Sequence, residues 1–194
     1  IADVLAMLEQ KVDDLNQLFG DEWLKTPEGE KFAEKVFDST IDAQLADKRE
    51  LFVNTLINGI RDKDTAELEK LKFIDVLRHL SRASLDVLAD IHNMFKDQVR
   101  GPSRRVDPIS AYPQVDPGSI AEKLSSKYDP YLVTSACYEM QSQGLFSNVG
   151  EWQKQADGSY KVGGGFDTAW VYTDFACRFV EFIIVESQEK PEDT

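Results

Sequence analysis

Apolar residues open the chain at Ile1, Leu5, Leu8, Val12, Leu15 and Phe19, alternating steps of four and three. Such steps form an a/d seam of period 3.5. They predict one helix over residues 1–19, stopped by Gly20. The seam residues Leu5, Leu8, Val12 and Leu15 are a candidate interaction surface. They can pack inside a bundle, the favoured reading, or pair with a second copy of the chain.

Further helices follow. Thr26 is an N-cap candidate and Pro27 suits the first helical position, where a missing N–H costs nothing. Phe32, Val36, Ile41 and Leu45 mark the buried stripe of that segment, with Phe37 beside it. "DKRELFVNTLINGI" repeats the pattern at Leu51, Phe52, Leu56 and Ile60, and Asp62 to Asp64 break it. In "TAELEKLKFIDVLRHLSRASLDVLADIHNMFKDQV", one face carries Leu68, Leu71, Phe73 or Ile74, Leu77 and Leu80. A second carries Leu85, Leu88, Ile91 and Phe95. The phase shifts near Ser81–Ser84, where a serine can cap a new helix.

"RGPSRRVDPISAYPQVDPGS" interrupts the periodicity, because closely spaced prolines exclude a long helix or a central strand. Beyond it, Asp116–Pro117 and Asp129–Pro130 each read as a cap followed by a first-turn proline. The second of these helices buries Leu132 or Val133, Ala136, Cys137 and Met140 and ends at Gly144. "LFSNVGEWQKQ", "ADG" and "SYKV" read as strand, turn and returning strand, and "TAWVY" as another strand. Thr173 caps a last helix with Phe175, Phe179, Phe182 and Ile183 on one face. The predicted fold is mainly α. A helical bundle (1–99) and a Pro/Arg-rich linker (100–115) precede a winged-helix-like α+β module with a β-hairpin (116–188) and an acidic tail (189–194).

Charge sharpens this picture. The 194 residues carry a net charge of −13, with −7 over residues 1–60, +1 over 61–127 and −7 over 128–194. Both ends would repel nucleic acid and anionic lipid. Arg100, Arg104 and Arg105 are the candidate basic surface, and pairing with the acidic flanks of the same chain is their favoured use. No apolar run approaches the roughly 18 residues of a membrane span. The N-terminal stretch is too acidic for a signal peptide. A first residue of Ile1 rather than Met leaves room for an upstream segment. Cys137 and Cys177 sit in apolar helical patterns and read as reduced core thiols, which places the expected location in the cytoplasm.

Candidate chemistry is sparse. Gly163–Gly165 lack the lysine–hydroxyl pair of a phosphate loop, and Thr168 stands where a dinucleotide fingerprint needs its third glycine. A bend beside the hairpin accounts for them better. Asp75, His79, Arg82, Asp86, Asp90 and Asn93 recur at helical spacing, but no second helix offers matching ligands. A solvated face is the favoured reading, and His92 is not at ligand spacing. No arrangement supports nucleophilic catalysis. The expectation is therefore no catalytic, cofactor-binding or metal-binding residue and no cofactor.

The order helix, helix, glycine, hairpin, cap, helix is that of a winged-helix module. "LVTSACYEMQSQGLF" and Thr173, Phe175, Ala176, Phe179, Phe182 and Ile183 resemble the ending of bacterial helical proteins of the abortive-infection-alpha-like families. Ala176 stands where those families usually have glycine. "DKRELFVNTLINGI" resembles their middle helix. The resemblance covers half to two thirds of the chain and concerns core and cap positions, so it implies a fold and no catalysis, with phage defence or stress response as a context. The would-be recognition helix has no Lys or Arg and carries Glu139, whereas a major-groove reader brings cations to phosphates. The expected function is that of a non-enzymatic interaction or scaffold protein with an unidentified protein partner. A homo-oligomer through the first helix goes with it, and the alternative is a nucleic-acid-binding or transcriptional regulator.

Overall fold

The computed structural model describes residues 2–98, 114–149, 152–154, 160–162 and 169–184. Gly163–Gly165, the arginines at 100, 104 and 105 and the tail at 189–194 lie outside the described residues. The fold is mainly α, with short antiparallel strands toward the C-terminus. The chain divides into two compact units. The first comprises Ile1–His79 and the chain from Glu181 onward, and the second comprises Leu80–Val180. The division falls before the helix that starts at Arg82, ahead of the expected boundary at 99/100.

In the first unit, α1 (Ala2–Lys11) and α2 (Leu15–Phe19) replace the single helix expected over 1–19. Asp14 causes the break, because its carboxylate accepts from the N–H groups of Asn16 and Gln17 and so starts a new helix. The buried line becomes Val4, Leu8 and Val12, spaced four apart, while Leu5 stays 39% exposed. Next come α3 (Pro27–Ile41), capped by Thr26 as predicted, and α4 (Arg49–Arg61). Ile41, expected in the α3 stripe, is exposed, because the helix ends there and Asp42 caps a 3-10 turn over Ala43–Lys48.

α4 is the central element. Phe52, Val53, Leu56, Ile57 and Ile60 are all buried, and α1, α3 and α5 (Glu67–His79) pack on it. Gly59 lets α3 come close, since a Cβ there would overlap the Phe32 ring. The face expected for α5 is shifted: Leu68 is 83% exposed and Lys70 is buried. The Lys70 ammonium donates to the carbonyls of Gly59 and Asp62 at 3.0 and 2.7 Å, and lies 4.2 Å from the centre of the Trp23 ring. Those carbonyls end α4 and have no partner within their own helix. Burial lowers the Lys70 pKa.

This device recurs in the unit. Lys48 Nζ donates to the carbonyls of Leu77 and Arg78 at the end of α5, both at 2.8 Å. Arg49 Nε donates to Thr40 O near the end of α3 at 2.9 Å. Asn54 donates to Ile183 O, and Asn58 to Phe182 O and Ile184 O, at the end of α9 (Asp174–Ile183). Phe182 also packs on Phe73, with ring centres 4.9 Å apart.

The second unit runs α6 (Arg82–Phe95), β1 (Gln114–Val115), α7 (Pro117–Lys123), α8 (Pro130–Ser142), β2 (Phe146–Val149), β3 (Trp152–Lys154), β4 (Tyr160–Val162), β5 (Ala169–Tyr172) and the start of α9. Ser81, Asp116, Asp129 and Thr173 cap α6, α7, α8 and α9 through their side chains. Gly144, at φ +79°, closes α8. Leu145 N–H reaches Met140 O, and Gly144 N–H reaches Gln141 O. This is a Schellman ending, with Leu145 and Met140 both buried.

The expected hairpin and the further strand at Ala169–Tyr172 are present, but the segment expected as one strand is divided into β2 and β3. β5 is central, antiparallel to both β1 and β2, with Asn148 opposite Trp170 and Gln114 opposite Val171. β3 and β4 form a separate two-stranded ladder, the hairpin itself. Gln114 and Val115, assigned to the linker, are thus a sheet edge. A two-residue strand shows no period, so its hydrophobic pattern could not reveal it. The described strands of this unit thus form a three-stranded antiparallel sheet in the order β1-β5-β2 and a separate two-stranded ladder. No helix among the described residues is long and apolar enough to cross a membrane.

Candidate interaction surface

α8 presents two distinct faces. Val133, Ala136, Cys137 and Met140 are buried on its inner side, and Val133 rather than Leu132 leads that face. α6 and α7 pack against it. The outer side presents Tyr131, 86% exposed, Tyr138, 58% exposed, Leu132 and Ser135. Tyr138 is oriented by an edge-on contact to the buried Trp170 of β5, with centres 4.9 Å apart at 85°. The sequence contained this signal. Tyr131 and Tyr138, seven residues apart, lie off the line of Val133, Cys137 and Met140.

Charge on α8 is turned elsewhere. Glu139 accepts from Ser81 N–H at 2.6 Å and from the Ser81 hydroxyl at 2.9 Å, and also bonds the Ser84 hydroxyl. A carboxylate there meets the positive end of the α6 dipole. The two lysines on α7 and just after it are engaged. Lys123 lies 6.0 Å over the Phe95 ring. Lys127 bonds Asp90, which raises the Lys127 pKa to about 12. For Asp90, burial acts upward, but hydrogen bonds from Lys127 and Tyr128 prevail and lower its pKa. Gln141 and Gln143, the candidate base readers, are half-buried.

Leu8 and Val12 are in the core of the first unit, leaving Leu5 exposed and Leu15 half-buried. The seam is therefore not a continuous surface. The polar stripe around His79 is broken by the Ser81 cap. Asp75 pairs with Lys35, and His79 Nδ1 lies 2.7 Å from Asp75 O. Arg82 pairs with Asp86 at 3.1 Å. In the first unit, an open groove of about 230 Å³ is bordered by Asp13, Asp14, Asp21 and Arg61. Asp14 caps α2, and Asp21 holds Lys63, a hydrogen bond that lowers the Asp21 pKa.

Spacing alone did not reveal one buried pair. His92 Nδ1 lies 2.9 Å from the Tyr172 hydroxyl, with the rings edge-on. Eighty residues separate the two in sequence, so no local pattern announces them. Cys177 places its sulfur within 4.8 Å of a ring nitrogen of His92. Both cysteines are buried and outside any disulfide, and burial pushes Cys137 up to about 12, far from a reactive thiolate.

Comparison of the chain with family models, curated proteins and solved structures gives no match.

Proposed function

We propose that the chain is a non-enzymatic protein-interaction or scaffold component that docks a partner through the outer face of α8. The observation that carries this reading is the exposure of Tyr131, Leu132 and Tyr138 on a helix without Lys or Arg. Tyrosine offers large contact area with few rotors to immobilise, which suits it to interface anchors. A phosphate backbone finds no cation on this helix.

The experiment is affinity capture with the native chain and with a Tyr131→Ser/Tyr138→Ser variant, matched for far-UV circular dichroism and urea midpoint. Loss of the captured proteins by the folded variant is the expected result. Equal recovery overturns the assignment of the α8 face.

The winged-helix-like element order favours a second reading, a nucleic-acid-binding or transcriptional regulator. It expects salt-dependent retention on DNA that is lost in Arg104→Ala/Arg105→Ala, and no retention at low salt removes it. Homo-oligomerisation through the first helix has less support, because half of its seam is core. Sedimentation showing monomer at high concentration would remove it. The resemblance to abortive-infection-alpha-like proteins suggests phage defence as the setting, with a cytoplasmic location.

A further inference from the structure

We draw no further inference here: the strongest candidate, the buried His92–Cys177 pair beside Tyr172 in the second unit, brings two ligand-type atoms together, and the described residues of that unit add no third to make a metal centre.

Discussion

The two units close the carbonyl ends of their helices in different ways. Helix starts are capped locally in both, by Asp14 and Thr26 in the first and by Asp116, Asp129 and Thr173 in the second. The difference lies at the carbonyl ends, and in the second unit α8 is closed locally by Gly144, which turns the chain out of the helix. In the first, the carbonyl ends of α3, α4, α5 and α9 are met by side chains of other segments, namely Arg49, Lys70, Lys48 and the Asn54–Asn58 pair. Both solutions answer the same requirement, that helix ends leave polar groups unpaired. A local cap fixes one helix. A distant one also fixes which helices are neighbours, but it places a polar or charged group in the core.

That contrast is open to test. Lys70→Met keeps the side-chain length but leaves two buried carbonyls without their donor, so we expect a loss of about 2–4 kcal/mol in urea unfolding. Gly59→Ala in the same unit forces a methyl into the Phe32 ring, with an expected loss of about 1–3 kcal/mol by the same measurement. In the second unit, Gly144→Ala places a side chain at positive φ and should cost about 1–2 kcal/mol. Asp129→Ala should cost about 1 kcal/mol, the ordinary value of an N-cap. If Lys70→Met proves no worse than Asp129→Ala, the distinction between the two kinds of helix end fails.

The smallest expected effect is in acid and is shared by both units. Asp21 and Asp90 have pKa values held below the ordinary 3.8. A depressed carboxylate contributes stability above its unfolded pKa and loses it as pH falls through the folded value. The urea midpoint should therefore decline below about pH 4. Asp21→Asn and Asp90→Asn should each flatten that decline, and an unchanged acid limb in both would show that these carboxylates do not contribute.

The same contrast explains what could be read in advance. Caps at Thr26, Ser81, Asp116, Asp129 and Thr173 were legible because cap and helix are adjacent in sequence, and Pro27, Pro117 and Pro130 strengthened the signal. Lys70 was not legible. Its charge argues for the surface and Leu68 for the core, and carbonyls of the preceding helix reversed both. The division at Asp14 was hidden by a regular heptad, since spacing reports a stripe and not a continuous backbone. β1 was hidden by its length. On α8 the outward tyrosines are readable from their offset to the Val133, Cys137 and Met140 line, whereas the basic candidates Arg100, Arg104 and Arg105 lie outside the described residues.

Asn54 and Asn58 have one more consequence, for synthesis. Their partners Ile183, Phe182 and Ile184 lie 124 to 129 residues further along the chain. On a ribosome, α4 emerges well before these partners and waits for more than a hundred further residues before the bonds can close. Loop closure of that length is slow relative to local helix formation. In the interval, α4 presents the amide of Asn54 and the neighbouring apolar surface to solvent and to chaperones. The slowest step in maturation is then expected to be the arrival of the last helix.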